Sequence, residues 1–403
     1  MNVFIADKLP GWCAAKIESL GAKAIVKTGL KEAELAAAVS ATDAAVLIVR
    51  STKVKRATIE AAPSLSLIIR AGAGTDTIDT DFAAERGIYV ANCPGTNSAA
   101  VAELAIGLML ALDRRIVDNA ADLRAGRWAK KEYSKADGVK GRTLGVLGAG
   151  AIGAAVIQRA KALGMKVIAW SRSLTPAKAE ALGVGFCEKP LDVARQADVV
   201  SLHVAGAPET RNLVDATFLA AMKPRAILIN TARGEVVDQA ALIDALKAGR
   251  IRAGLDVYAD EPTGADETFN SALRDVPNWI GTHHIGASTE QAQDETAALA
   301  IDILAGFLRT GLVANCVNMQ PPVADLHGGC RFVVRHLDKV GVLAGVLERL
   351  RDEGINVEDM ENRIFRGAKA AVCYLTLSKR PSAKALAAFG TDENIIRAAV
   401  VDG

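Results

Sequence analysis

The chain has 403 residues, 50% of them hydrophobic and 23% charged, so it has apolar surface enough to offset its ordering entropy, and both a single small module and a disordered tail protein are excluded. Lys plus Arg number 48 against 46 Asp plus Glu, a formal net charge of +2; that balance excludes the electrostatic footprint of a general nucleic-acid or membrane-surface binder and leaves small anions as ligands. The six cysteines (Cys13, Cys93, Cys187, Cys316, Cys330, Cys373) form no C-x-x-C pair, so no zinc cluster or dithiol site is expected and no metal is assigned.

The chain opens MNVFIADKLPGW, a strand-like run broken by charge and proline, and no later apolar run approaches ~18 residues. A soluble, cytoplasmic protein is expected. Short apolar runs then alternate with Ala-rich amphipathic stretches, at residues 3–6, 45–49, 67–69, 143–147, 166–170, 199–203, 226–230 and 254–257. Strands so short and apolar, separated by helical patterns, predict parallel sheets covered by helices on both faces, the α/β class. After Pro94, Val101, Leu104, Ala105, Leu108, Met109 and Leu112 recur at helical spacing and predict a long helix capped by Asn97 or Ser98. Apolar on more than one face, this helix is also the expected contact of a homodimer or homotetramer.

Gly148-Ala149-Gly150-Ala151-Ile152-Gly153 directly follows the run 143–147 and opens a helical pattern. In that context G-x-G-x-x-G binds a dinucleotide: Gly148 makes the tight turn, Gly150 lets the backbone approach the pyrophosphate, Gly153 packs helix on strand, and Ala151 and Ile152 bring the helix N-terminus to the phosphates. At the end of the next strand, where a carboxylate would bind a ribose 2′-hydroxyl, the chain reads Ser171-Arg172. A guanidinium fork suits a 2′-phosphate; alternatively Arg172 stacks on adenine or faces solvent, so both NAD and NADP stay open.

Three later segments end strands: Asn230-Thr-Ala-Arg233-Gly234, Asp256-Val-Tyr-Ala-Asp-Glu261-Pro262 and Thr282-His283-His284-Ile-Gly286. Strand C-terminal ends of a parallel sheet share one edge, so these side chains can meet beside a nicotinamide. A guanidinium that polarises a ketone, an imidazole that carries a proton and a carboxylate that orients the imidazole are what interconversion of a 2-keto and a 2-hydroxy acid needs. Beyond Gln320-Pro-Pro-Val, read as a linker, the tail reads strand 331–336, helix 341–353, strand 357–364, a turn at Arg366-Gly367-Ala368, strand 370–377, a helix around 381–389 and strand 396–401. That βαββαβ order predicts a ferredoxin-like sandwich.

From about residue 45 to 317 these residues resemble the D-isomer-specific 2-hydroxyacid dehydrogenase family. The resemblance implies a discontinuous flavodoxin-like substrate-binding domain (1–96 with 288–318), a Rossmann nicotinamide dinucleotide domain (97–287), a linker (319–328) and a regulatory domain (329–403). It implies Arg233, Glu261 and His284 as the catalytic set, with His283 standing where proline usually precedes the histidine, and His203, Thr231 and Asp256 as cofactor contacts. Within the family the likeness is to its phosphoglycerate dehydrogenases, through Leu47-Ile-Val-Arg50-Ser51, Arg70-Ala-Gly-Ala73-Gly74, Asn92-Cys-Pro-Gly-Thr-Asn97 and Gly126-Arg-Trp-Ala-Lys-Lys131. It implies a phosphorylated 2-hydroxy acid held by Arg50, Ser51, Arg70, Ala73, Gly74, Asn97 and Lys131. A glyoxylate or hydroxypyruvate reductase is the alternative enzyme, and a non-catalytic nucleotide-sensing regulator or corepressor the alternative class. The tail resembles an ACT domain, which implies an amino-acid effector near His336, Asp338 and Asn356, although Asp338 and Val340 stand where Asn and Pro are usual. No nucleic-acid or membrane partner is implied.

Overall fold

The computed structural model describes residues 1–262, 268–319, 330–365 and 367–401, which divide into two compact units, Met1–Asn318 and Met319–Gly403. The first unit holds two parallel sheets. One is made of β1 (Asn2–Ile5), β2 (Lys23–Val26), β3 (Val46–Val49), β4 (Leu67–Arg70) and β5 (Tyr89–Asn92), in the order β2-β1-β3-β4-β5. The other contains β6 (Thr143–Leu147), β7 (Lys166–Trp170), β8 (Gly185–Phe186), β9 (Val199–Leu202), β10 (Ala226–Asn230), β11 (Ile251–Leu255) and β12 (Trp279–Gly281), in the order β12-β11-β10-β9-β6-β7-β8. Apolar side chains of both faces are buried under helices, the condition under which parallel strands become uniformly hydrophobic. In the second sheet the strand order turns back at β6, whose neighbours are β9 and β7. That is the switch point at which open α/β sheets bind ligands beyond their strand C-termini.

The chain leaves the first sheet through the helix Ser98–Arg114, whose Ala102, Ala105, Leu108, Met109 and Leu112 pack with Leu144, Val146, Ile227 and Ile229 of the second. It returns through the helix Glu290–Thr310, where Ala297, Ala300, Ile301, Ile303 and Leu304 pack with Val3, Ile5, Val46, Ile48, Leu67 and Ile69. The cap expectation fails: Asn97 occupies the N-cap position without a side-chain cap bond, and Asn97 Oδ1 and Ser98 Oγ are buried without a partner among the described residues. Leu104, Ile106 and Leu110 of this helix are half-buried, and exposed apolar residues follow beyond it at Ile116, Val117, Leu123 and Trp128.

The second unit carries β13 (Cys330–Leu337), the helix Val342–Asp352, β14 (Val357–Ile364), β15 (Ala370–Leu377), the helix Ala383–Gly390 and β16 (Ile395–Val401). Its antiparallel sheet runs β14-β15-β13-β16 over its own core of Phe332, Val334, Leu350, Cys373, Leu375 and Phe389. The linker reading, apart from Met319, and Arg366 of the predicted turn lie outside the described residues. Among the described residues no helix is long and apolar enough to cross a membrane.

Candidate active site

The loop after β6 is built on glycine for stated reasons. Gly148 has φ of 98°, and a Cβ there would lie 2.5 Å from the His203 carbonyl; at Gly153 it would lie 2.0 Å from the Gly148 carbonyl. At Gly150 a Cβ would meet nothing within 4 Å, so the backbone faces open space where the helix Ala151–Ala162 begins without a side-chain cap. Free N–H groups of Ala151, Ile152 and their neighbours are the complement of a pyrophosphate. At the neighbouring strand ends, His203 Nδ1 and Thr231 Oγ1 are buried without a partner among the described residues, two polar atoms suited to bond a dinucleotide. His203 Nε2 meets Ser201 Oγ at 2.8 Å, and burial pushes its imidazole down to about 4. Ser171 and Arg172 follow β7; Arg172 is exposed and stands 3.8 Å from Glu209. These residues fit a nicotinamide dinucleotide.

Beyond β11 and β12 the acid–base residues converge. His284 Nδ1 meets Glu261 Oε1 at 2.5 Å, and this hydrogen bond raises the imidazole above its ordinary value against the opposing effect of burial. His284 has φ of 53°, a left-handed backbone that costs a non-glycine residue energy unless the surroundings impose it. Asp256 imposes it. Buried to 1% exposure, its Oδ1 accepts from Thr282 Oγ1 at 2.6 Å and Ile285 N at 2.8 Å, and its Oδ2 from Gly286 N at 2.8 Å. The residue expected as a cofactor contact thus spends most of its acceptor capacity on the turn that carries His284. His283, exposed, lines the same cleft.

Arg233 is not among the residues that line this cleft; it reaches from the end of β10 to the loop after β4, where its Nε donates to Asp76 at 3.0 Å, and its Nη1 donates to the Ala232 carbonyl at 2.7 Å. Guanidinium groups pass over the glycines of the turn after β4: a Cβ at Gly72 would lie 1.5 Å from Arg70 Nη1, and one at Gly74 2.3 Å from Arg233 Nη2. Burial, then the charge of Arg233, pull the Arg70 guanidinium below its ordinary value. Asn92 Nδ2 donates to the Ala73 carbonyl at 2.6 Å, and the N–H groups of Ala73 and Gly74 find no backbone acceptor among the described residues. The resulting cleft of 630 Å³ brings together Arg50, Ser51, Arg70, Asn97, Glu261 and His284. Lys8 and Lys53 also line it; the sequence reading missed both, since a lone lysine beyond a strand carries no signal until neighbouring strand ends are aligned.

Lys131 does not join them. The helix Ser98–Arg114 starts at the cleft but ends at Arg115, whose Nη1 bonds Glu132 at 3.0 Å and holds the helix Lys130–Tyr133 there. Arg252, at the start of β11, donates to Leu112 O at 2.9 Å, so this is the opposite edge of the sheet, a helix length of ~26 Å away.

The expected effector residues are also separated. His336 shares the inward face of β13 with Phe332 and Val334, is 2% exposed, and has its ring nitrogens on Leu337 O at 2.8 Å and Asn362 Oδ1 at 3.3 Å. Strand alternation therefore withdraws it from ligands. Asp338 N donates to Lys369 O at the far end of β13, whereas Asn356 N donates to Ser378 Oγ beside its start. One copy does not bring the two together.

Residues 106–286 match the NAD binding domain of the D-isomer specific 2-hydroxyacid dehydrogenases. The chain is 41% identical over 321 residues to a D-3-phosphoglycerate dehydrogenase of Methanocaldococcus jannaschii, covering 79% of this chain and 60% of that one. It is 41% identical over 283 residues to a glyoxylate reductase of Thermococcus litoralis, covering 68% and 83%. The solved TT0316 protein of Thermus thermophilus superposes with a TM-score of 0.71 at 35% identity, covering 79% of this chain and all of that one. The chain spans about six-tenths of the length of the phosphoglycerate dehydrogenases it matches. It belongs to the D-isomer specific 2-hydroxyacid dehydrogenase family.

Proposed function

We propose that the chain oxidises D-3-phosphoglycerate to 3-phosphooxypyruvate with NAD or NADP, the entry step to serine synthesis, as a cytoplasmic enzyme. The observation that carries this reading is the cationic rim of Lys8, Arg50, Lys53 and Arg70 around the cleft that holds His284; a dianionic phosphate needs such a rim and a plain hydroxy acid does not. The nicotinamide, when bound at the glycine loop, supplies the hydride acceptor. Arg233 and the N–H groups of Ala73 and Gly74 hold the substrate carboxylate. His284 Nε2 takes the C2 hydroxyl proton as the hydride leaves C2, and Glu261, bonded to Nδ1, stabilises the imidazolium that forms.

In this reading residues 1–96 with 288–318 bind the substrate, 97–287 bind the dinucleotide, 319–328 link, and 329–403 form a ferredoxin-like ACT module that pairs edge to edge with a second copy. Ile116, Val117, Leu123 and Trp128, exposed beside one another in the chain, are proposed as the homodimer contact. The second reading, a glyoxylate or hydroxypyruvate reductase, is favoured by Ser171-Arg172 and by the likeness to the glyoxylate reductase. A spectrophotometric panel of 3-phosphoglycerate, D-glycerate, 2-hydroxyglutarate, glyoxylate and hydroxypyruvate with each nicotinamide cofactor decides. Higher kcat/KM for 3-phosphoglycerate than for D-glycerate supports the first reading, no gain from the phosphate supports the second, and no turnover at all returns the chain to a regulator.

A further inference from the structure

The loop that carries Arg50 is not free. β1 and β3 are parallel neighbours, Ile5 opposite Ile48, and Ala6 N continues the ladder to Ile48 O at 3.0 Å. The first side chain beyond β1 able to turn toward the end of β3 is that of Asp7. Its Oδ2 accepts from three consecutive backbone N–H groups, Arg50 at 2.6 Å, Ser51 at 3.0 Å and Thr52 at 3.0 Å, while its Oδ1 accepts from Thr52 Oγ1 at 3.0 Å. Successive N–H groups that converge on one point form an anion-binding concavity. Here the anion is supplied by the chain itself, so the concavity orders the loop instead of binding substrate. From the other side Gln293, in the first turn of the helix Glu290–Thr310, accepts from Arg50 Nη1 at 3.1 Å. Backbone and guanidinium of one arginine are therefore fixed by two residues more than 280 positions apart.

We propose that Asp7 and Gln293 are positioning residues that aim Arg50 into the cleft and thereby set the preference for a phosphorylated over an unphosphorylated 2-hydroxy acid. The proposal rests on the reading that Arg50 meets the substrate phosphate. An arginine free to sample its rotamers loses part of its binding free energy to ordering, whereas one held in place meets its anion at lower entropic cost. The charge of Asp7 also offsets the mutual repulsion of Lys8, Arg50 and Lys53 around the rim, which makes this geometry tolerable before substrate arrives.

The test compares kcat/KM for 3-phosphoglycerate with kcat/KM for D-glycerate in the wild type, Asp7→Ala, Asp7→Asn, Gln293→Ala, Arg50→Ala and the double variant Asp7→Ala/Arg50→Ala. Arg50→Ala is expected to lower this ratio roughly ten- to a hundredfold, the worth of a charge-assisted hydrogen bond. Asp7→Ala and Gln293→Ala are expected to lower it roughly tenfold, and Asp7→Asn less, because the amide oxygen still accepts. In the Arg50→Ala background, Asp7→Ala should change the ratio no further. If the two losses instead add, or if Asp7→Ala and Gln293→Ala depress both substrates in proportion, the positioning role is overturned. If Arg50→Ala leaves the ratio untouched, the phosphate reading of Arg50 has failed and the proposal falls with its premise. Should Asp7→Ala not fold, Gln293→Ala and Asp7→Asn decide on the same ratio.

Discussion

Glu261 Oε1 stands 2.5 Å from His284 Nδ1, and this contact directs both the tautomer and the charge of the imidazole. With Nδ1–H directed to the carboxylate, Nε2 is the nitrogen left to exchange a proton with substrate. The hydrogen bond to Glu261 is the largest cause of the raised His284 value, so its removal shifts the titration downward. Oxidation needs neutral imidazole and rises as pH passes through the His284 value; in Glu261→Gln that rise is expected at lower pH, and in the reductive direction activity is lost at lower pH than in wild type. Profiles of kcat/KM against pH in both directions check the sign. His284→Ala should lower kcat by ~10²-fold or more with cofactor affinity, read by fluorescence titration, close to wild type. A crippled His283→Ala beside a nearly intact His284→Ala would reverse the assignment.

Asp256 links the fold to the same histidine. Its three accepted bonds fix Thr282, Ile285 and Gly286 around a His284 whose φ is 53°. In Asp256→Ala these donors lose their partner, and each buried unsatisfied group costs ~1–3 kcal/mol. A lower melting temperature is expected together with a fall in kcat, as the backbone at His284 relaxes out of the left-handed region. Asp256→Asn, which keeps one acceptor oxygen, should recover most of the stability. Unchanged melting and unchanged kcat in Asp256→Ala would mean that the turn holds itself.

The central strands are legible because burial on both faces makes their middles apolar: Thr143–Leu147, Lys166–Trp170 and Ala226–Asn230 have the same bounds in sequence and structure. Edge and short strands are not. Lys23–Val26 is half-exposed, Gly185–Phe186 has two residues and Trp279–Gly281 three, too few for any periodicity to register. β11 begins at Ile251, earlier than expected, because Arg252 interrupts the apolar run while its guanidinium reaches Leu112 O. The glycine loop and the Arg233, Glu261 and His284 segments are local motifs and could be read. Asp7 could not, because its partners are backbone N–H groups that any residue type supplies. Lys131 lies away from the cleft in one copy, and the segment 126–131 carries no signal of the sheet edge to which its helix returns.

Arg172 and Glu209 stand 3.8 Å apart, both well exposed, at the strand edge where the adenine ribose would lie. A 2′-phosphate would gain the guanidinium and meet the repulsion of the carboxylate, so the two residues should pull cofactor choice in opposite directions. Arg172→Ala is expected to weaken NADP selectively by roughly ten- to a hundredfold, and Glu209→Gln to shift the ratio of kcat/KM toward NADP. If neither variant changes that ratio, Arg172 faces solvent and plays no part in cofactor selection.

In the second unit the Asp338 loop and Asn356 sit at opposite ends of β13 in one copy. Any amino-acid site using both must therefore be assembled from two copies, with the loop of one facing the turn of the other. An asparagine offers a donor and an acceptor to a zwitterion, but Asn356 Nδ2 is already 2.8 Å from Glu358 Oε1, and the charge of Asp338 repels a ligand carboxylate. Inhibition by L-serine is accordingly expected to be weak, and Asp338→Asn to strengthen it about tenfold, the effect of ~1.4 kcal/mol. A chain ending at Asn318 retains all four apolar cores of the first unit, so it should keep its turnover and lose any response to serine. Titrating L-serine against the full chain, Asp338→Asn and the shortened chain separates the cases. Inhibition that survives the shortening would move the effector site to the first unit, and silence in all three would leave the second unit an assembly element.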